Sequence, residues 1–233
     1  MSETKTKKAM ISTKDMKSGG RVKPVIDPGN HTLKVNEITF DQTPYDKDAW
    51  NITLHVETEP VKGEFQGFLT DMKDENSPRY EGQVGRIRFN QYPYKDTVLP
   101  NSGREISRDT EVLKAMMYFS EVVNMRDELD MIEAETIEQF MDSCNELFTQ
   151  KSSSPYFNAC VAGREWENKD GYINFDLFLP RMSKDGIPLE KLDVESSRLL
   201  TFNREEHIKV LKEKSNTKVD SFEPGSSGDD FEL

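Results

Sequence analysis

The sequence predicts a β-rich α+β domain: a five-stranded barrel with a two-helix insertion, held between disordered termini. Three observations point there. Segments of apolar–polar alternation lie on both sides of one block of helical periodicity. Clusters of Pro, Gly, Asn and Asp separate those segments, as they do short antiparallel strands. Polar, lysine-rich and Gly/Ser-rich stretches occupy the two ends.

Residues 1–23 carry seven Lys/Arg against Glu3 and Asp15, a net of +5, and end in Ser18, Gly19, Gly20. They read as a disordered basic arm. Pro24, Asp27, Pro28 and Gly29 punctuate the entry to a domain spanning 24–214. From His31 to Asp41 the apolar positions are Leu33, Val35, Ile38 and Phe40. Their parity slips by one, which a strand with a bulge near Asn36–Glu37 explains. After a loop at Pro44–Asp48, Trp50, Ile52, Leu54 and Val56 alternate with Asn51, Thr53, His55 and Glu57, the clearest strand in the chain. Pro60, Lys62 and Gly63 turn the chain into an expected third strand, Phe65 to Met72. Val84 to Tyr92 alternates again, with Ile87 and Phe89 on one face and Arg86, Arg88, Asn90 and Tyr92 on the other.

The period then changes. Val112, Leu113, Met116, Met117, Phe119, Ser120 and Val123 fall at helical spacing. Thr136 to Gln139 has the form of a capping box, followed by Ile137, Phe140, Met141, Cys144, Leu147 and Phe148. These two helices form an insertion at about 109–149. Strand pattern returns in Tyr156–Trp166 and Tyr172–Leu179, joined by a turn ending in Asp170–Gly171. Ile173, Phe175, Leu177 and Leu179 are the expected core face of that hairpin. A last helix is expected from Asn203 to about Lys214, carrying Ile208 and Leu211. Residues 215–233 read as a disordered acidic tail, with a net of -5 over 219–233.

A meander, one further strand, helices and then a hairpin is the layout of a five-stranded Greek-key barrel of the OB type, its helical element between the third and fourth strands. A generic antiparallel α+β sandwich is the competing reading.

Composition limits the function classes. Hydrophobic residues make up 34% and mean hydropathy is -0.76, so the core is lean. No apolar run approaches the ~18 residues of a membrane helix, and MSETKTKKAM lacks the apolar centre of a signal peptide. A cytoplasmic protein without membrane contact is expected. In that setting Cys144 and Cys160 are two buried thiols, one disulfide being the alternative. His31, His55 and His207 share no metal-ligand spacing with one another or with the cysteines, so no zinc site is expected. The chain carries no nucleophile-elbow, phosphate-loop, dinucleotide or zinc-protease motif, and Gly82–Gly85 lacks the Lys-Ser/Thr of a phosphate loop. The acidic run at 127–138 reads as a solvated helix face. Neither a catalytic site nor a cofactor is expected.

The net charge is -12, and because the arm and the tail cancel, the middle of the chain carries all of it. Any nucleic-acid groove is then a local basic patch on an acidic body. Two basic–aromatic clusters fit. One is Arg86, Arg88 and Tyr92, extended by Lys95; the other is Arg164, Trp166 and Tyr172, with Lys169 at the hairpin tip. Guanidinium groups pair with phosphates and aromatic rings stack on bases, at about 1–3 kcal/mol per base without sequence preference. The bland alternatives are arginines in surface ion pairs and a Trp166 folded into the barrel end. Tyr45 and Lys47 form a weaker third cluster, and Trp50 is assigned to the core by parity with Ile52 and Leu54. The tail ends in Asp229, Asp230, Phe231, Glu232 and Leu233, an acidic tip with apolar residues that suits a basic pocket on a partner, or this protein's own groove when that is empty.

PGNHTLKVNEITF (28–40), PYFNACVAGREWENKDGYINFDLFLP (155–180) and the DDFEL end together resemble the single-stranded DNA-binding proteins of bacteriophages, and more loosely those of bacteria. The resemblance implies an OB barrel whose groove protects single-stranded DNA during replication, recombination and repair. It also implies an acidic tip that recruits replication or recombination proteins, a role falling here on Asp229, Asp230, Phe231 and Leu233. Leu stands at the end where the bacterial tip has Pro-Phe. The helical insertion exceeds what a minimal barrel needs and is a candidate surface for homo-oligomerisation.

Two rivals use the same features. A protein–protein assembly module would lock Arg86, Arg88 and Arg164 each to a neighbouring carboxylate. An acidic DNA mimic would spread carboxylates at phosphate-like spacing and have no DNA affinity.

Overall fold

The computed structural model describes residues 25–61, 67–150, 155–180, 189–191 and 201–211. The expected arm, the tail and the tip residues Asp229, Asp230, Phe231 and Leu233 lie outside them. In chain order the elements are β1 (Gly29–Thr43), β2 (Asp46–Thr58), β3 (Phe68–Leu69), β4 (Arg79–Tyr80), β5 (Val84–Arg88), β6 (Thr97–Val98) and β7 (Glu105–Ile106). Then come α1 (Arg108–Val123), α2 (Arg126–Leu129), α3 (Ile137–Thr149), β8 (Phe157–Glu167), β9 (Ile173–Phe178), β10 (Leu189–Lys191), α4 (Arg204–His207) and β11 (Ile208–Lys209).

Five strands close on themselves. β1 pairs β2, β2 pairs β5, β9 pairs β8 and β8 pairs β1, all antiparallel, while β5 pairs β9 in parallel. Around the ring the chain order is first, second, third, fifth, fourth, with third and fifth parallel. That is an OB-type barrel, with α1, α2 and α3 inserted between its third and fourth strands. β10 and β11 add to the edges of β8.

β1 closes the barrel by being shared: Gly29–Leu33 pairs with β8 and Leu33–Thr43 with β2. The expected bulge is present, the register shifting between Val35 and Glu37. Such a bulge frees ladder groups. Here the amide of Ile38 donates to Asn145 Oδ1 of α3 at 2.7 Å, so the insertion completes the strand.

The insertion also fills the core. Val112, Met116, Phe119 and Val123 of α1 recur at helical spacing and are buried. The Phe119 ring packs edge-on against Phe89, Phe148 and Phe157, at 6.0, 5.0 and 5.3 Å between centroids. Burying one such ring stabilises by roughly 1.5–3 kcal/mol. Asn124 ends α1 in the left-handed conformation (φ 62), which Asn tolerates better than most residues. The cap at α3 forms, Thr136 Oγ1 accepting from the Gln139 amide at 3.2 Å, while Gln139 Oε1 reaches back to accept from the Glu135 amide, one residue before the cap, at 3.2 Å.

Four expectations need correction. The described part of Phe65–Met72 contributes only β3, which pairs with β4 outside the barrel; the barrel's third strand is β5. Glu57, expected to face outward, is buried. Its Oε1 accepts from the Glu81 and Gly82 amides at 2.9 and 3.1 Å, holding the turn before β5, and Lys34 Nζ lies 3.3 Å from Oε2. The last helix is one turn, capped by Asn203, because Ile208 and Lys209 pair with Gly163 and Arg164 instead. Ile173 and Phe175 lie outside the core, as described below. Cys144 and Cys160 are both buried and free; burial pushes their thiols up to about 12 and about 11. Among the described residues no helix is long and apolar enough to cross a membrane.

Candidate nucleic-acid interface

Residues directly opposite in a ladder point to the same face of the sheet. Following the register around the barrel therefore shows which outward side chains meet. Glu37 pairs with His55, and His55 with Arg86. Arg86 precedes Ile87, which pairs with Leu177, so Asp176 stands beside Arg86. Asp176 pairs with Arg164. The row Glu37–His55–Arg86–Asp176–Arg164 thus crosses all five barrel strands on the outer surface, with Arg88 one step along β5. It holds two carboxylates, two guanidinium groups and one imidazole.

Arg88 Nη2 donates to Asp176 Oδ2 at 2.7 Å. Arg86 is exposed and makes no salt bridge among the described residues. Arg164 Nε is buried without a hydrogen-bond partner. His55 Nδ1 lies 3.2 Å from Glu37 Oε2. Partial burial holds the His55 pKa below its ordinary value, and Arg86 adds to that. Glu37 and Asp41 oppose it. A groove of about 930 Å³ runs along this surface, lined by Ile26, Thr53, His55, Arg86, Arg88 and Phe175 among others.

Beyond Gly163 and Leu177 the β8–β9 hairpin continues past the barrel. Its turn is organised by Asn168, whose Oδ1 accepts from the amides of Asp170 and Tyr172, with Gly171 at φ 82. Gly has no Cβ penalty at that angle. On the overhang Trp166 stands opposite Asn174, on the face of Arg164, and is 38% exposed. Tyr172 and Lys169 are exposed at the tip. The overhang explains why Ile173 and Phe175 fail as core residues, at 66% and 45% exposed: the right parity has no core beneath it. The Phe175 ring lies over Gly163, where any Cβ would overlap it.

The register separates the expected site residues into two groups. Arg86, Arg88, Arg164 and Trp166 share one surface, and Tyr172 and Lys169 border it. Lys95 does not join them. Its chain folds back so that Trp50 and Tyr94 exchange backbone hydrogen bonds at 2.8 and 2.7 Å, and Lys95 Nζ reaches Asp46 Oδ2 at 3.3 Å. Tyr92 is exposed but lies past the end of β5, and Asn90 is buried rather than outward. Trp50 is half-buried, stacked on Phe40 at 4.7 Å with the Arg108 guanidinium 5.2 Å above its ring.

Sequence reading missed Glu37, His55 and Asp176. The alternation of β2 marks His55 as outward, but only pairing register brings the three together. No protein-family model, curated protein or solved structure matches the chain.

Proposed function

We infer that the chain binds single-stranded DNA along this outer surface, as a non-enzymatic protein of the kind that covers single strands in replication and recombination. One observation carries the reading. Three arginines from two strands, Arg86 and Arg88 of β5 and Arg164 of β8, converge across β9 on one surface of an otherwise acidic molecule, beside an overhanging hairpin that leaves Trp166 and Tyr172 exposed. The arginines supply phosphate contacts and the rings supply stacking. The acidic tip at Asp229, Asp230, Phe231 and Leu233 would recruit replication or recombination proteins.

Trp166 is the natural reporter, since Trp50 is held between Phe40 and Arg108. Titration of the full chain with oligo-dT is expected to quench fluorescence, with an affinity that falls steeply between low and high salt. Quenching absent from the wild type, together with no shift in a gel, overturns the reading. A protein–protein module is the second reading, favoured by the Arg88–Asp176 ion pair and the exposed Ile173 and Phe175. It predicts silence in both assays.

A further inference from the structure

We propose that Asp176 is an internal stand-in for phosphate: it holds Arg88 in the free protein and yields it when a nucleic-acid strand binds, so the carboxylate restrains affinity. This rests on the nucleic-acid reading above and goes on to name what regulates that surface.

The placement carries the inference. Asp176 sits on β9 with arginines on both flanking strands. Arg86 stands beside it, Arg164 opposite it, and Arg88 donates to it. One carboxylate among three guanidinium groups occupies the position that an anionic oxygen would take. It engages Arg88 through a single oxygen, Oδ2, with the two side chains 22% and 26% exposed. The pair is therefore open to solvent on the groove side, where a strand would approach. A pair held through one oxygen and still reached by solvent is open to exchange with another anion.

The other role open to such a residue is to hold Arg88 in place, and the fold makes that unnecessary. The backbone of Arg88 is fixed on both edges, by pairing with Thr53 and by the Leu179 amide donating to its carbonyl at 2.9 Å. The stem leaves the sheet in the same direction with or without Asp176. The charge balance points the same way. Arg86, Arg88 and Arg164 bring three positive charges to the row, and Asp176 and Glu37 cancel two of them. A strand then meets a surface on which Arg88 is already engaged, and a phosphate contact to Arg88 must displace the Asp176 carboxylate.

The test is an anisotropy titration of the full-length protein with labelled oligo-dT across a salt series, comparing wild type, D176N, R88Q and the double variant. D176N keeps the shape and an acceptor for Arg88 but removes the charge. It is expected to bind about three- to tenfold more tightly at low salt, the range for removing one partly screened charge. Its salt dependence is expected to steepen by about 0.7 in log–log slope, one further phosphate neutralised. In the R88Q background the gain is expected to shrink to less than half. Unchanged or weaker binding by D176N, with wild type binding normally, overturns the stand-in and leaves a positioning residue. A gain undiminished in R88Q overturns it too, since Asp176 then acts as a general field. If wild type does not bind at any salt, the nucleic-acid reading itself has failed. D176S, read the same way, replaces D176N if that variant does not fold.

Discussion

The two hairpins of the barrel carry one tryptophan each, and the surroundings give them opposite fates. In the β1–β2 hairpin Trp50 is roofed by Arg108 at the start of α1 and floored by Phe40, while Lys95 closes on Asp46 nearby. In the β8–β9 hairpin Trp166 keeps 38% of its surface exposed, and its neighbours Tyr172, Ile173 and Phe175 are more exposed still. Both tryptophans sit in alternating strands. Among the described residues the helical insertion packs on Trp50 and not on Trp166, and that difference separates a structural ring from the one proposed to bind.

The sharpest way to break the comparison is to truncate both rings. Trp50→Ala is expected to cost about 2–3 kcal/mol of folding stability, somewhat less than a fully buried Trp because the ring is only half-buried. Chemical denaturation measures it, and a loss below about 0.5 kcal/mol would mean that the sandwich is incidental. Trp166→Ala should behave in the opposite manner, leaving the denaturation midpoint nearly unchanged while weakening oligo-dT binding by about 1–3 kcal/mol. A destabilised but fully binding Trp166 variant would reverse the assignment of the two hairpins.

A finer distinction concerns the cations. Arg86→Gln and Arg164→Gln are each expected to lower the log–log salt slope of binding by about 0.7, whereas Lys95→Gln, tied to Asp46 at the other hairpin, should leave it unchanged. An equal effect from Lys95 would extend the interface across both ends of the barrel.

The smallest expected effect is the pH response of His55. Its pKa is lowered in the folded protein, mainly by burial, so the unfolded chain binds a proton more readily. The contribution of His55 to stability is therefore fully present above its ordinary value of 6.5 and is lost as pH falls below it, toward the folded value. Subtracting a His55→Asn denaturation series from the wild-type series isolates this term. A difference curve rising toward acid would place Glu37 and Asp41 ahead of burial.

Parity along one strand fixed much of this molecule in advance. It located the β1 bulge, the clean faces of β2 and the pairing of Arg86 with Arg88, because side chains alternate whatever surrounds them. The capping box announced α3 for a similarly local reason: Thr136 bonds an amide three residues away. What parity cannot supply is the neighbour. Ile173 and Phe175 have the pattern of core residues yet hang beyond the barrel. Glu57 has the pattern of a surface residue yet is enclosed by the turn it holds. The segment expected as a third strand gives its place to β5, a choice made by pairing partners distant in sequence.

The same division runs through the candidate site. The sequence by itself determined that Arg86, Arg88, Arg164 and Trp166 point away from the core. Only the tertiary structure decided that Glu37, His55, Arg86, Asp176 and Arg164 form one row, that Arg88 is held by Asp176, and that Lys95 belongs elsewhere. Facing direction is a property of a single strand. Row membership depends on the register between strands far apart in the chain, and a shift of one residue would turn every one of those side chains to the other face.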